Sequence, residues 1–383
     1  MANPGTWQPH GAFGPPFQRR VRKVGAPLGV IIALGVVVGL IAILLTAVNP
    51  IGSSVAFLLA TLGMTIVVLA YLWLDRWEPE PPRLLVFAFL WGASVAVVVS
   101  LLFELLFDFL ISRGVEDNPA ASMAIGAPII EEAAKGAFLL LMLTGRRRNE
   151  MNSLTDCLVY AGLAAAGFAW IEDVLYISEG GLLAAAVRLI MGPFAHPLFT
   201  TMTGIGVYFA MQQRSWGGKA GCILLGYLGA VVMHGLWNGS LVFGAGAYFL
   251  VYLVWMVPIF GLTIWLAVAS RRREQRVVAG KLPGMVQAAV VTANEATWLG
   301  SLPNRKQAIA EAKRLGGPKA GKSVKNFAAQ VVELAFVRDR LERGFGDARV
   351  VELQTEEAYA VYGARAAAPV LQTMAGYQAP HRR

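Results

Sequence analysis

Long runs of apolar residues alternate with short polar loops over the first 270 residues of the chain. A helix needs about 20 apolar residues to cross a bilayer, and about eight runs approach or exceed that length. The runs are 24–48, 54–74, 84–111, 122–143, 154–177, 196–211, 220–242 and 245–269. The pattern predicts an all-α polytopic membrane helix bundle. Residues 182–191 are apolar but short, so they could form a surface helix, a re-entrant piece or the start of a longer, tilted sixth span.

The two ends of the chain differ from this bundle. Residues 1–23 are rich in proline and glycine and predict a disordered cytoplasmic segment. Residues 271–383 are polar and rich in alanine, with helical patterning around 305–314 and 325–343. We therefore expect three parts: a disordered N-terminus, a transmembrane domain over 24–270, and a small, partly disordered cytoplasmic helical tail.

Composition and charge support a membrane protein with a defined orientation. The chain is 56% hydrophobic and only 15% charged, unlike an ordinary soluble domain. Its basic residues concentrate before the first span and in every second loop, which by the positive-inside rule places both termini in the cytoplasm. The net charge of +9 therefore reports mostly topology and does not indicate a nucleic-acid partner.

The tail contains the stretch GGPKAGKS at residues 316–323, which satisfies the phosphate-loop pattern. That loop requires a buried strand before it, so that its N–H groups converge on phosphate at the start of the following helix. The preceding residues, RKQAIAEAKRL, have helical periodicity and many charges. We therefore expect a solvated linker here and no bound nucleotide.

Ionisable side chains inside the spans are the main functional signal. Each costs about 2.5–3.5 kcal/mol at mid-helix on insertion scales, so such residues usually face the bundle interior and carry function. The ionisable set comprises Glu131, Glu132 and Lys135 on the fourth span, Glu172 and Asp173 on the fifth, His196 on the sixth and His234 on the seventh, where the polar Asn238 shares its face. Glu104 and Asp108 on the third span lie nearer the outer end, and we expect them to reach water. A single His or Asn is often only a hydrogen bond between helices. Two adjacent glutamates exceed what packing requires.

Helical spacing places these groups on shared faces. Lys135 follows Glu131 by four residues and Glu132 by three, so its ammonium can reach either carboxylate. Pro128 favours a helix that begins near it, which would put both glutamates close to a positive helix end. Four spans each contribute a polar face, and a water-filled cavity between them would satisfy these groups away from lipid.

Two kinds of chemistry suit this set. A glutamate could take a proton from water while a histidine donates to the oxyanion or the leaving amine. The same residue types could instead bind Zn²⁺, for example through His196, His234 and Glu172, with another glutamate left as the base. The sequence has no HExxH motif, so the ligands would come from separate helices.

Five stretches in order resemble the PrsW-type intramembrane proteases, relatives of the CAAX-protease and bacteriocin-processing membrane enzymes. They are DRWEPEPPRLL at 75–85, IIEEAAKG at 129–136, GFAWIEDVLY at 167–176, the residues from His196 to Val207, and HGLWNG at 234–239. The first lies in a predicted cytoplasmic loop, away from the glutamates, and we expect it to be structural. Asp173 stands where the family pattern has asparagine.

The resemblance implies cleavage of a membrane-anchored protein substrate, such as an anti-sigma-factor-like regulator, at the cell membrane. It places Glu131, Glu132, Glu172, His196 and His234 in the active site, with Lys135 and Asn238 in support. Two other functions use part of the same signal. A proton- or cation-coupled transporter also buries Glu and His, although this chain shows no internal repeat. A non-catalytic scaffold explains the tail but not the paired glutamates.

Overall fold

The computed structural model describes residues 25–111, 122–344 and 348–379, without the side chains of 107–111. The segment predicted to be disordered, 1–23, lies outside these residues. The described chain consists of helices and contains no strand, which confirms the all-α membrane bundle.

Fourteen α-helices, numbered here in chain order, occur in the described ranges. They are α1 Leu28–Val48, α2 Pro50–Leu74, α3 Pro82–Trp91, α4 Val97–Ile111, α5 Ala127–Met142, α6 Leu154–Ala186, α7 Ala195–Met211, α8 Trp216–Val242, α9 Ala245–Val251, α10 Val257–Gln287, α11 Ala293–Leu299, α12 Leu302–Glu342, α13 Ala348–Ala366 and α14 Val370–Thr373. Short π-helical turns join α3 to α4 and α9 to α10, and precede α5.

Six helical segments in the described residues are long and apolar enough to cross a membrane. They are Leu28–Val48, Pro50–Leu74, Pro82–Leu106, Leu154–Met211, Trp216–Val242 and Ala245–Gln287. Of the two other predicted spans, one corresponds to α5, which has 16 residues. The other is α7, which lies inside the segment that starts at Leu154. The total of eight therefore stays a prediction.

Two glycines allow the helix of α3 and α4 to approach α6 at backbone distance. A Cβ on Gly92 would lie 1.8 Å from the carbonyl oxygen of Ala164, and one on Gly167 would lie 1.9 Å from that of Phe89. Such distances are far below van der Waals contact, so only glycine fits at either position. This crossing fixes α6, which carries two of the acidic residues.

A break in α6 turns the chain back towards those acids. Gly181 has φ +61° and ψ −147°, a conformation that is open to glycine and strained for other residues. Helical structure resumes after it and ends in the π-helical turn Val187–Met191 before Gly192. The short apolar segment 182–191 is therefore a second helical piece that follows a sharp kink.

The backbone contacts divide the chain into two compact units. One comprises Val24–Arg76 and Glu80–Val268, and the other comprises Trp77–Pro79 and Ala269–Arg383. The second unit has its own apolar core, in which Trp298 and Phe327 pack edge to face. Arg365 adds a two-pronged ion pair to Glu295, whose carboxylate also caps α11 by accepting from the Thr292 N–H.

The glycine-rich stretch of the tail interrupts α12. Gly316 and Gly317 are non-helical, with Gly317 at φ +76°, and helix lies on both sides of them. The loop therefore does not follow the buried strand that a phosphate loop requires.

The stretch DRWEPEP buries two acids next to a membrane span. Asp75 accepts the backbone N–H of Glu80 at 3.0 Å, and Tyr160 donates to Glu80 Oε2 at 2.6 Å. Burial, together with the nearby charge of Asp156, raises the pKa of Asp75 to about 8 and that of Glu80 well above its ordinary value. These contacts hold the loop between α2 and α3 against α6.

Candidate active site

Three side chains of α5 form the centre of a buried polar cluster. Glu131, Glu132 and Lys135 are 4%, 0% and 0% exposed. An α-helix begins at Ala127 with Pro128 in its first turn, and a π-helical turn precedes it, so the backbone is helical on both sides of the proline. The predicted i, i+3 and i, i+4 pairs of Lys135 are both present, since its Nζ lies 2.6 Å from Glu132 Oε1 and 3.4 Å from Glu131 Oε2.

Side chains from other helices hold the backbone of α5 and of the π-helical turn before it. Trp91 Nε1 donates to the carbonyl of Ala134 at 3.0 Å, and Asn238 Nδ2 donates to that of Met123 at 3.3 Å. In a π-helical turn, a carbonyl accepts the N–H of the residue five positions later. For Met123 that residue is Pro128, which has no N–H, so the carbonyl needs another donor. Asn238 therefore contacts a backbone carbonyl before α5 and, among the described residues, forms no hydrogen bond with the acids.

Glu132 is fixed by three polar partners. Besides Lys135, Thr200 Oγ1 donates to its Oε2 at 2.8 Å, and His234 Nδ1 lies 3.1 Å from its Oε1. A buried carboxylate with this many donors is anchored in place. Because the carboxylate can only accept, the contact makes Nδ1 the protonated nitrogen of His234.

His234 consequently directs a free nitrogen into the cluster. Its Nε2 is buried and has no hydrogen-bond partner among the described residues, and it lies 3.8 Å from Glu131 Oε2. Phe199 stacks on the ring at a centroid distance of 4.8 Å and an interplanar angle of 19°. An unpaired buried nitrogen is costly unless something binds it, so this atom is suited to accept a cation or a hydrogen-bond donor.

His196 repeats the arrangement with the other acidic pair. Its Nε2 lies 2.6 Å from Glu172 Oε2, which leaves Nδ1 to face the centre of the cluster. There Nδ1 lies 3.0 Å from Lys135 Nζ and 4.0 Å from Glu131 Oε2. Each histidine is therefore oriented by one carboxylate and turns its second nitrogen towards Glu131.

Glu172 and Asp173 share one cation. Arg188 Nη2 contacts Glu172 Oε2, and Arg188 Nε lies 2.5 Å from Asp173 Oδ1. The guanidinium also lies over the ring of Tyr176, 4.5 Å from its centroid. Asp173, which departs from the family pattern, thus has its charge compensated by Arg188.

All five predicted catalytic residues, together with Lys135, lie in this one cluster. Sequence reasoning did not identify Thr200 or Arg188 as part of it. Arg188 gave a usable signal, because it is the one charged residue in the apolar stretch 182–194. Thr200 gave none, since threonine is common in membrane helices.

Among the described residues, one group has the composition and spacing of a metal site. It consists of Glu131, His196 and His234, each with one ligand atom, and these atoms lie within 4.8 Å of one another. Zinc ligands lie about 2.0–2.2 Å from the ion, so neighbouring ligand atoms are about 3–4 Å apart. The unpaired Nε2 of His234 and the mixed N/O donor set fit a divalent cation. Glu131 belongs to this group, whereas Glu172, a possible ligand on the sequence alone, contacts Arg188 and His196.

Comparisons with known proteins agree with this geometry. A family model described as PrsW family intramembrane metalloprotease matches residues 80–263, which contain every residue of the cluster. Over these residues the chain is similar to the PrsW family of intramembrane proteases.

Three PrsW relatives show how far the similarity extends. Protease PrsW of Geobacillus kaustophilus is 26% identical over 176 residues, which are 45% of this chain and 74% of that protein. That of Clostridioides difficile is 28% identical over 192 residues, covering 48% of this chain and 77% of the relative. That of Shouchella clausii is 26% identical over 220 residues, covering 57% and 98%. No solved structure matches the chain.

The similarity to PrsW proteases decides between the functions that the sequence left open. The chain is a membrane protein and an enzyme that cleaves protein, which sets aside the transporter and scaffold alternatives. The family model ends at residue 263, so the tail lies outside it.

Proposed function

We propose that the chain hydrolyses a peptide bond of a membrane-anchored protein, with Glu131, His196 and His234 at the reacting centre. The observation that carries this proposal is the pair of oriented imidazoles whose inward nitrogens both face Glu131 Oε2, at 3.8 Å for His234 and 4.0 Å for His196. Ionisable residues inside membrane spans are costly, and they usually mark functional sites.

Glu131 is the proton carrier in this proposal. Glu132 and Glu172 are engaged in holding the two histidines, whereas Glu131 has, within the described part of the chain, a single hydrogen bond, from Lys135. Glu131 accepts a proton as water attacks the substrate carbonyl, and it returns that proton to the leaving amine as the C–N bond breaks. The hydroxyl of the water stays on the new carboxyl group.

Lys135 supplies positive charge near the developing oxyanion. Its ammonium is fully buried, is held by Glu132 at 2.6 Å, and lies 4.3 Å from the centre of the Phe168 ring. A fixed charge in a site of low dielectric stabilises an oxyanion more strongly than it could in water. This assignment replaces the histidine that the sequence suggested as donor, since both inward imidazole nitrogens are acceptors in the arrangement described.

In a metal-dependent form of the reaction the same three residues, Glu131, His196 and His234, would hold Zn²⁺, and another carboxylate of the cluster would then carry the proton. The cluster contains four carboxylates and two fixed cations, Lys135 and Arg188, so with neutral imidazoles a divalent ion would balance its charge. Such an ion lowers the pKa of a bound water and polarises the carbonyl. The carboxylate–histidine contacts of Glu132 and Glu172 are those that orient histidine ligands in zinc enzymes.

The substrate we propose is a membrane-anchored regulator of the anti-sigma-factor type, cut by an enzyme whose termini both lie in the cytoplasm. Support for the orientation comes from the basic residues in every second loop. Reporter fusions at each terminus test it, because a reporter that is active only outside the cytoplasm must stay silent at both ends. Activity at either end would reject this topology.

The proposed function is tested with cells that produce Glu131→Gln or His234→Ala in place of the wild type. We expect both variants to insert and accumulate while at least one single-pass membrane protein remains uncut. Glu179→Gln, an exposed acid on the same helix as Glu172, is the matched control and should leave cleavage intact. Continued cleavage by both site variants would reject the site. Metal analysis of the purified protein, with chelation and re-addition of Zn²⁺, tests the ion independently.

A further inference from the structure

Arg188 is a charged residue of the cluster for which the chemistry described above has no direct use. It lies in the π-helical turn Val187–Met191, which follows the kink at Gly181. A charge in an apolar membrane segment is costly and usually has a specific partner. Arg188 has two, and both belong to α6.

The contacts of Arg188 fix the position of Glu172. The guanidinium uses Nη2 for Glu172 Oε2 and Nε for Asp173 Oδ1, and its plane lies over Tyr176. A planar fork that binds two groups at once restricts both more than a single-point ammonium could. The carboxylates are adjacent in sequence, so without a cation they would repel each other.

The same oxygen of Glu172 that contacts Arg188 also contacts His196 Nε2, at 2.6 Å. One carboxylate oxygen therefore joins the guanidinium to the imidazole. Any rotation of Glu172 would release His196 and let its Nδ1 turn away from Glu131, which lies 4.0 Å away.

We propose that Arg188 is a positioning residue, which acts through Glu172 to hold His196 in its working orientation. The inference rests on the proposed function, since it requires His196 to take part in the reaction. Direct recognition of an acidic substrate by Arg188 is disfavoured, because two carboxylates already neutralise its charge. We expect the residue to affect the rate of the chemical step and not substrate binding.

The test compares Arg188→Met and Arg188→Lys with the wild type in bilayers, using a cleavable single-pass substrate. Loss of a group that orients a histidine typically costs about 10–100-fold, and we expect that loss in kcat for Arg188→Met, with KM changed by less than about threefold. Arg188→Lys keeps the charge but not the fork, so it should recover part of the loss. Arg214→Met and Arg214→Lys, at an exposed position, are the matched controls and should retain the wild-type kcat.

A double-variant cycle separates positioning from a merely structural role. If Arg188 acts through Glu172, adding Arg188→Met to Glu172→Gln should lower the remaining kcat by less than about twofold. If Arg188→Met does not accumulate, Arg188→Lys is measured in its place, because the lysine still compensates the charge of the two acids. Its kcat should then lie below the wild-type value at unchanged KM.

Three outcomes would overturn the inference about Arg188. They are a raised KM at unchanged kcat, wild-type kcat in both Arg188 variants, and fully additive losses with Glu172→Gln. Wild-type cleavage by Glu172→Gln itself would instead contradict the proposed role of Glu172, so the two failures can be told apart.

Discussion

The contact between Glu132 and His234 determines which nitrogen of the histidine reaches the site. Glu132 Oε1 lies 3.1 Å from Nδ1, and Nε2 is left buried without a hydrogen-bond partner among the described residues. The acid therefore sets the imidazole tautomer as well as its orientation. In the proposed mechanism the two adjacent glutamates thus have different tasks, since Glu131 carries the proton and Glu132 orients the imidazole.

Replacing Glu132 by Gln should weaken metal binding as well as catalysis. The amide keeps the shape but loses the ion pair with Lys135 and no longer dictates the protonation of His234. We expect zinc affinity and kcat to fall by about 10–100-fold each. Zinc titration of the purified variant measures the first effect without reference to activity. Unchanged zinc affinity beside that of the Glu179→Gln control would contradict the orienting role.

Asn238 should affect stability more than catalysis. Its amide donates to the carbonyl of Met123, and a typical hydrogen bond contributes about 0.5–1.5 kcal/mol to stability. We expect Asn238→Ala to lower the thermal unfolding midpoint while kcat per folded molecule stays within about threefold of the wild type. A large loss of kcat at an unchanged midpoint would show instead that Asn238 takes part in the reaction.

The sequence predicted the class of fold and the members of the site for identifiable physical reasons. Apolar runs of bilayer length have few structural alternatives to helices. Ionisable residues within such runs stand out because each is costly. Glu131, Glu132, Lys135 and the two histidines could therefore be singled out before their distances were known.

Contacts that depend on local backbone geometry could not be predicted in this way. The pairing of Arg188 with Glu172 requires the kink at Gly181, and periodicity alone does not show where a chain turns back. The contact from Asn238 to Met123 requires a π-helical turn, which has no clear sequence signal. The place of Glu131 beside both imidazoles depends on how three helices rotate against each other, so the sequence left the metal ligands open.

The crossing at Gly167 should tolerate no side chain. A Cβ there would lie 1.9 Å from the carbonyl oxygen of Phe89, and neither backbone can move without separating the helices. Overpacking of this kind costs about 1–3 kcal/mol and occasionally more. We expect Gly167→Ala to reduce the folded yield and the unfolding midpoint. Gly35→Ala on α1, where no atom lies within 4 Å of the added Cβ, should leave both unchanged or slightly improved.

The buried acids before α3 should make stability depend on pH. Burial raises the pKa of Asp75 to about 8, whereas the carboxyl ionises near its ordinary value in the unfolded chain. The folded protein thus binds a proton that the unfolded chain has released. The stabilisation that protonated Asp75 provides is fully present below pH ~4. It is lost as the pH rises through about 8, at a rate of at most about 1.4 kcal/mol per pH unit.

Asp75→Asn isolates that contribution, because the amide oxygen can still accept the N–H of Glu80 but cannot ionise. The wild-type unfolding midpoint should fall between pH 6 and pH 8.5, and the variant should show a smaller fall. Glu80, whose pKa is also raised, would account for the dependence that remains. Equal slopes in the two proteins would mean that Asp75 already ionises in the folded state. A steeper fall of the midpoint in the variant would contradict the prediction, because it would mean that folding stabilises the charged form of Asp75.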